Sequence, residues 1–247
     1  MRITLFTAIA ALALSLPVAG NAVELAVAAP KRGEKAVPNA ASRPAADIAA
    51  LCQRAQTPFG PVAAVCVWPR HVALAARELM SAPVQIATVV NFPSGDDPVT
   101  HVVDATEAAL RDGANEIDLV LPYHAYLGGA IEHVALMVDA VHAVTTANRA
   151  LLKVILETGE LGGPEAIDAA ARVAIAHGAD FVKTSTGFGG GGATVEDIQL
   201  MRETVGPEMG VKASGGVRTR DDAENLCRAA RPLWVAREHR ERLTDGV

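Results

Sequence analysis

The sequence contains few cysteines and histidines, and neither residue type forms a recognisable metal-binding or redox motif. The three cysteines, Cys52, Cys66 and Cys227, are widely spaced, and neither a C-x-x-C pair nor an H-E-x-x-H pattern occurs. The sequence therefore predicts no disulfide framework and no zinc site, and we expect neither a metal ion nor another cofactor.

Aromatic residues and positively charged runs are also scarce. Aromatics make up 4% of the 247 residues and hydrophobic residues 50%, which indicates a core of Ala, Val, Leu and Ile, typical of parallel sheets covered by helices. The formal net charge is −6 and no basic block is present, which argues against nucleic acid as a partner. A small anionic substrate held by a local site is compatible with this charge.

The N-terminal part of the chain differs in composition from the rest. Residues 1–22 combine Arg2, a short apolar run and small residues, a pattern typical of a signal peptide. An apolar helix or a misassigned start explains the same pattern. The run is too short to predict a membrane span, and none is expected in the mature domain. Residues 23–46, rich in Ala, Pro and Lys, are interpreted as a linker, so that the folded domain comprises residues 47–247.

From residue 47, strand-like apolar runs alternate with segments of helical periodicity. Near-continuous apolar strands indicate a parallel sheet covered on both faces, as in a (β/α)8 TIM-type barrel or a doubly wound sheet. Strands are predicted at 62–68, 85–92, 116–121, 151–158, around Lys183 and at 211–214, and helices at 46–55, 71–80, 99–112, 131–147, 164–177, 194–205 and 221–230. The strands carry polar residues that need a common interior, namely Asp118, Glu157, Lys183 and Lys212, and this favours the barrel.

Lys183 lies in the middle of one of these strand-like segments, between apolar residues and a glycine-rich turn. Burial without a partner favours the neutral form of a lysine, which is the form that attacks a carbonyl group to make a Schiff base. A lysine that reaches solvent from the end of a strand explains the same pattern, and both interpretations stay open.

Lys212 and Asp118 occupy two other predicted strands. If Lys212 faces the interior beside Lys183, each lysine raises the cost of charging the other, and one is pushed towards neutrality. Asp118 can then accept or return a proton. As alternatives, Lys212 binds phosphate or forms an ion pair, and Asp118 accepts hydrogen bonds from backbone amides.

Glycine-rich turns follow the two lysine-bearing strands. The turn after the Lys212 strand precedes a helix, where exposed amides and the helix N-terminus favour phosphate binding. Residues predicted to bind phosphate are Gly187, Gly215, Gly216, Val217 and Arg218, and their position matches the usual phosphate site of barrels.

Six segments resemble the deoxyribose-phosphate aldolase family, over about residues 47–225. They are AVCVWPR (64–70), ATVVNFPSG (87–95), EIDLVLPY (116–123), LKVILETG (152–159), GADFVKTSTG (178–187) and VKASGGVRT (211–219). The resemblance implies a metal-free class I aldolase on an α/β barrel, an aldehyde-lyase that cleaves 2-deoxy-D-ribose 5-phosphate to acetaldehyde and D-glyceraldehyde 3-phosphate. It also implies a cytoplasmic enzyme, or an exported one if residues 1–22 are a signal peptide, and it allows a homodimer.

The resemblance implies a role for individual residues as well. Lys183 forms the Schiff base, Lys212 and Asp118 transfer protons, and Cys66 lines the pocket. Burial of Cys66 as a small hydrophobic residue is an equal alternative.

Both ends of the chain depart from the family pattern. A first strand with a Leu-Asp-Leu-Thr-Thr-like motif is not recognisable before Ala46, and no Gly-Ser-Ser-like turn follows Ala230, where residues 233–236 form a poor strand at best. We therefore expect a barrel that is incomplete at its first and last strands. Two interpretations follow. The protein is an aldolase that binds the phosphate group of its substrate more weakly, or it is a remnant of the barrel with no competent active site. The order of the six segments counts against a third, a transaldolase-like barrel.

Overall fold

The computed structural model describes residues 10–18, 21–27, 43–57 and 60–230. The strands are β1 (Ala10–Val18), β2 (Asn21–Val27), β3 (Gln56–Thr57), β4 (Gly60–Pro61), β5 (Ala64–Val67), β6 (Gln85–Val90), β7 (Glu116–Val120), β8 (Leu151–Ile155), β9 (Phe181–Lys183) and β10 (Gly210–Ser214). The helices are α1 (Arg43–Arg54), α2 (Val72–Glu78), α3 (Val99–Arg111), α4 (Tyr123–Leu127), α5 (Ile131–Ala147), α6 (Pro164–Ala176), α7 (Val195–Val205) and α8 (Arg220–Ala229). A 3-10 turn, Pro69–His71, precedes α2.

Strand pairing closes the sheet into a barrel in the order β1-β2-β10-β9-β8-β7-β6-β5, which confirms the predicted α/β barrel. Strands β5 to β10 are parallel to one another, and β2 is parallel to β10. Strand β1 is antiparallel to both of its neighbours, β2 and β5. The strands predicted from the periodic part of the sequence are therefore all present, and β3 and β4 form a separate two-stranded sheet.

The first and last positions of the barrel are filled by the β1–β2 hairpin rather than by two further strand–helix units. The barrel is thus incomplete as a set of eight such units, and the opening expected between its ends is spanned by this hairpin. Strand β1 falls within the segment predicted to resemble a signal peptide, and β2 overlaps the predicted linker. The domain boundaries drawn from the sequence stay a prediction, and the poor strand expected at residues 233–236 lies outside the described residues.

Strand β7 shows how the sequence separates the barrel interior from the layer of helices. Successive side chains of a strand point to opposite faces, so Ile117 and Leu119 point one way and Glu116 and Asp118 the other. Ile117 and Leu119 belong to the main hydrophobic core, together with Met137 of α5, which packs against β7 and β8. The two carboxylates consequently face the interior of the barrel.

Register places the charged residues of neighbouring strands side by side. Asp118 of β7 pairs with Lys153 of β8, and Lys183 of β9 pairs with Lys212 of β10. Lys212 is in turn in register with Glu24 of β2. Lys183 is in register with Ile155, two residues beyond Lys153 on β8, so the two pairs lie at neighbouring positions along the barrel.

Candidate active site

Three lysines and two carboxylates converge inside the barrel. The Lys183 Nζ donates a hydrogen bond to Asp118 Oδ2 at 2.5 Å, and the Lys212 Nζ lies 3.9 Å from the same oxygen. The Lys153 Nζ donates to Asp118 Oδ1 at 3.2 Å and also to Glu116 Oε2. The structure thus brings together the three residues predicted to carry the chemistry and adds Lys153 and Glu116 to them.

These charged groups are almost completely removed from solvent. The exposed fraction is 0% for Asp118 and Lys153, 1% for Lys212 and 5% for Lys183. Charges at such depth are tolerated only when they are paired, so the ion pairs are a condition for placing the lysines here.

The pKa of the Asp118 carboxyl reflects two opposed effects. Burial raises this pKa, but the neighbouring ammonium groups of Lys153, Lys183 and Lys212, together with the hydrogen bond from Lys183, hold it well below its usual range. Asp118 therefore carries a negative charge at neutral pH while the three lysines face it.

The pKa of Lys183 is raised above its ordinary value. Burial favours the neutral amine, but the Asp118 carboxylate, the Cys66 side chain and the hydrogen bond from Lys183 to Asp118 outweigh burial and favour the ammonium form. The sequence predicts that one of the two lysines is pushed towards neutrality; for Lys183 the nearby Asp118 anion raises the pKa instead. Lys183 must give up a proton before it can attack a carbonyl group.

Cys66 lies beside this cluster, at the level where β5 and β6 pair. Burial and the negative charge of Asp118 raise the pKa of the Cys66 thiol, against the opposing effect of the lysines. Cys66 packs with Ala87 and Val89, and Trp68 and Phe92 cover this small apolar group. A neutral thiol in this position provides an apolar wall next to the charged residues.

Three aromatic side chains meet across one end of the barrel. Trp68 and Phe92 follow β5 and β6, and Phe188 reaches them from the loop after β9 on the far side of the barrel. Ring centroids are 5.4 Å apart for Trp68 and Phe92 and 5.2 Å apart for Phe92 and Phe188, with edge-to-face geometry in both pairs. The Arg70 guanidinium lies 5.2 Å from the Trp68 ring centroid. Sequence reasoning missed this cluster, although an aromatic residue follows each of these strands.

The glycine-rich loop after β9 packs against the turn after β10. The Ala193 amide donates to the Gly215 carbonyl at 3.1 Å. A Cβ on Gly192 would lie 2.8 Å from that same carbonyl oxygen, so a glycine is needed for the close approach. Gly215 and Gly216 have φ values of +81° and +79°, which favour glycine. Gly187, Gly215 and Gly216 are therefore at one end of the barrel, as the predicted phosphate site requires.

The start of α8 offers fewer available backbone amides to a phosphate group than its sequence suggests. The amides of Arg218 and Thr219 already donate to Asp222 Oδ2, at 3.0 and 2.9 Å, and the Thr219 hydroxyl completes a capping box. These two amides are occupied by a carboxylate of the same helix. Val217 is buried and Arg218 is exposed, so the role of both in phosphate binding stays a prediction.

Glu157, at the end of β8, is a buried acid that sequence reasoning placed in a strand without assigning it a role. Its Oε2 accepts a hydrogen bond from the Thr186 amide at 3.1 Å, whereas its Oε1 has no hydrogen-bond partner among the described residues. Burial raises the pKa of this carboxyl. Glu157 has a φ of +55° and anchors the start of the glycine-rich loop through Thr186.

Two further findings concern the described part of the chain. Within it, no group of three or more His, Cys, Asp or Glu residues is arranged to hold a metal ion. Among the same residues, no helix has both the length and the apolar character needed to cross a membrane.

The fold and this cluster define a class of protein, an α/β barrel that buries three lysines and a carboxylate together in its interior. Comparison with known proteins gives the family. Residues 26–233 match the profile of the DeoC/LacD family aldolases. Deoxyribose-phosphate aldolase of Agrobacterium fabrum is 48% identical over 192 residues, which cover 76% of this chain and 74% of that protein.

Solved structures agree with this match. The aldolase QR15 is 34% identical with a TM-score of 0.69, over 75% of this chain and 80% of that one. A tetrameric deoxyribose phosphate aldolase from Aeropyrum pernix is 26% identical with a TM-score of 0.68, over 85% of this chain and 81% of that one. The chain belongs to the DeoC/LacD family of aldolases.

Proposed function

We propose that this protein is an aldehyde-lyase that cleaves 2-deoxy-D-ribose 5-phosphate to acetaldehyde and D-glyceraldehyde 3-phosphate through a Schiff base on Lys183. The observation that carries the proposal is the buried cluster in which Lys183 and Lys212 face one oxygen of Asp118, at 2.5 and 3.9 Å. The similarity to deoxyribose-phosphate aldolases supports the choice of substrate.

The reaction begins when Lys183 loses a proton and its amine bonds to C1 of the open-chain sugar. The carbonyl oxygen takes up two protons and leaves as water, which gives a protonated imine. A base then removes the proton of the C3 hydroxyl group, and the C2–C3 bond breaks. C3 becomes the aldehyde carbon of glyceraldehyde 3-phosphate, and the electron pair of the broken bond stays on the two-carbon fragment as an enamine.

Asp118 and Lys212 are the groups placed to move protons in these steps, because Asp118 contacts Lys183 and Lys212 is in register with Lys183 on the next strand. Protonation of the enamine at its terminal carbon and hydrolysis of the imine release acetaldehyde and return the free lysine. The negatively charged Asp118 also stabilises the positive charge of the imine once the ammonium proton has left.

The phosphate group is assigned to the end of the barrel where the two glycine turns meet, with Gly187, Gly215, Gly216, Val217 and Arg218 as its contacts. No Gly-Ser-Ser-like turn is recognisable after Ala230, so we expect weaker phosphate binding than in a family member that has this turn. In addition, two amides at the start of α8 are occupied by Asp222. Each missing charge-assisted hydrogen bond costs about 1.5–3 kcal/mol.

The test is a cleavage assay with purified protein, in which acetaldehyde and glyceraldehyde 3-phosphate are quantified by NMR. We expect cleavage, with a ratio of kcat/KM for phosphorylated over unphosphorylated 2-deoxyribose that is smaller than the ratio of a complete family member. A ratio as large as that of the complete enzyme would refute the weaker phosphate binding. No cleavage of either sugar would favour the alternative, a barrel remnant without a competent site.

Assembly and location are part of the same proposal. We expect a homodimer, and light scattering after gel filtration would show whether the protein is instead a tetramer like its relative from Aeropyrum pernix. We expect a cytoplasmic protein. Recovery outside the cytoplasm, with residues 1–22 removed, would establish export instead.

A further inference from the structure

Lys153 is a buried charged residue that the proposed steps do not use. Its Nζ donates to Asp118 Oδ1 at 3.2 Å, whereas the Lys183 Nζ donates to Oδ2 at 2.5 Å. The two oxygens of Asp118 are thus engaged by lysines from two different strands. Contacts to both oxygens restrict rotation of the Asp118 carboxylate about its Cβ–Cγ bond.

Lys153 is itself held in place on several sides. It is in register with Asp118 across the β7–β8 pair, and its Nζ also donates to Glu116, which lies two residues before Asp118 on the same strand. The same ammonium lies 5.9 Å from the Phe181 ring centroid. An apolar side chain of similar length would fill this space without the cost of burying a charge, so the ammonium group needs an explanation beyond packing.

We propose that Lys153, backed by Glu116, is a positioning residue for the aldol reaction: it holds Asp118 Oδ1 so that Oδ2 faces Lys183 and Lys212. This inference rests on the proposed function, because it assigns Lys153 a part in the proton transfers of that reaction. Lys153 itself touches neither the reacting carbon atoms nor the phosphate group in this account.

Loss of the Lys153 charge has two physical consequences. The Asp118 carboxylate becomes free to rotate, so that proton transfer to and from the substrate loses its alignment. The pKa of Asp118 rises, since one of the cations that lower it is gone. The groups that still face Asp118 are the Lys183 and Lys212 ammonium groups, the Cys66 thiol and Glu116 of the same strand.

Two readouts separate proton transfer from imine formation. Exchange of the acetaldehyde methyl protons with deuterium in D2O, followed by NMR, reports enamine formation and protonation. Trapping of acetaldehyde on Lys183 with borohydride, followed by mass spectrometry, reports the imine alone. Wild-type protein, Lys153→Met, Glu116→Gln and the double variant are compared across pH, with circular dichroism and thermal unfolding as tests of folding.

We expect Lys153→Met to lower the exchange rate roughly 10- to 100-fold while trapping changes by less than about threefold. We also expect the acidic limb of the pH profile, the fall of the exchange rate at low pH, to lie at higher pH in this variant than in the wild-type protein. Glu116→Gln should move this limb to lower pH or leave it in place, because it removes a negative charge from the neighbourhood of Asp118. The double variant should unfold at a higher temperature than Lys153→Met, because it also removes the buried negative charge that Lys153 pairs with, yet keep its slow exchange.

The inference is overturned if the double variant recovers the wild-type exchange rate and pH profile, because Lys153 would then serve only to neutralise Glu116. Unchanged exchange in folded Lys153→Met overturns it as well. If Lys153→Met does not fold, the double variant, which lacks both charges of this pair, decides between these outcomes. Absence of trapping in the wild-type protein would refute the proposed function itself, and the inference with it.

Discussion

Asp118 sets the protonation of the residues around it, because its carboxylate faces the ammonium groups of Lys153, Lys183 and Lys212. Burial alone favours a neutral Lys183, but the anion raises the pKa of this lysine. Lys183 is therefore paired and protonated until a proton leaves the cluster. The reactivity of the lysine depends on the carboxylate more than on the second lysine.

Asp118→Asn removes the anion that raises the pKa of Lys183. More of the lysine is then neutral at a given pH, so we expect the rise of the borohydride trapping rate with pH to occur at lower pH than in the wild-type protein. Exchange of the methyl protons of bound acetaldehyde should fall more than trapping does, because the proton carrier is lost. If the trapping rate of Asp118→Asn rises at the same pH as in the wild-type protein, or at a higher pH, Asp118 does not raise the pKa of Lys183.

Lys212→Ala should lower turnover by roughly two or more orders of magnitude, within the range for loss of a proton-transfer group. Lys212→Arg is the matched control, since arginine keeps the charge but does not release a proton, and we expect it not to restore activity. The measurement is kcat for cleavage of 2-deoxyribose 5-phosphate. Near wild-type turnover of the alanine variant would show that Lys212 takes no part.

At this scale the sequence indicated that Lys183, Lys212 and Asp118 share the barrel interior, but not the protonation of Lys183. A lysine between apolar residues in a strand can be recognised from its neighbours in the chain. Its pKa depends on a distance of 2.5 Å to a carboxylate 65 residues away, which only the fold determines. Lys153 went unassigned because residues 151–155 are apolar on both sides of it, so alternation gives no signal there.

The loop after β9 and the turn after β10 form the element to which we assign the phosphate group. Gly192→Ala would place a Cβ 2.8 Å from the Gly215 carbonyl oxygen, and the backbone there has little freedom to move. We expect a loss in kcat/KM that is larger for 2-deoxyribose 5-phosphate than for unphosphorylated 2-deoxyribose. The physical reason is that the loop must move away from the turn after β10, where we place the phosphate group.

Gly190→Ala is the matched control in the same loop. Its Cβ would meet the end of the Glu160 side chain, at 3.2 Å, and that side chain can move away. Steady-state kinetics of both variants with both sugars should therefore separate them. Equal losses for Gly192→Ala and Gly190→Ala would mean that the packing of this loop on the β10 turn does not support phosphate binding.

Elements of the periodic part of the chain were predictable because their apolar patterns and glycine or proline boundaries agree with one another. The prediction of a helix at residues 131–147 matches α5, for example. The β1–β2 hairpin was not predicted, because a short apolar run in residues 10–18 has the same composition as the core of a signal peptide. The short α4 also escaped, since it follows Pro122 directly and is only five residues long.

For the molecule as a whole, closure of the barrel depends on its N-terminal hairpin. Strand β1 pairs with β5, and β2 pairs with β10, so these two strands join the ends of the parallel sheet. If residues 1–22 were removed as a signal peptide, β1 would be lost and the edge of β5 exposed. Signal-peptide cleavage and this closed barrel therefore exclude each other.

Deletion of residues 1–27 should open the barrel between β5 and β10. An exposed pair of strand edges promotes association with other chains, so we expect a lower unfolding temperature and aggregation compared with the full chain. Thermal unfolding and light scattering provide the measurement, with a deletion of residues 1–9 as the control that keeps both strands. A shortened protein that stays monodisperse and unfolds at the same temperature would show that the hairpin does not close the barrel in solution.

The central claim is that Lys183 is the residue that bonds to the carbonyl carbon. The most direct test is to incubate the protein with acetaldehyde, reduce it with borohydride and locate the added ethyl group by peptide mass spectrometry. We predict the added mass on the peptide that contains Lys183, and none in a Lys183→Met variant. An added ethyl group on Lys153 or Lys212 of the wild-type protein, in place of Lys183, would contradict the account.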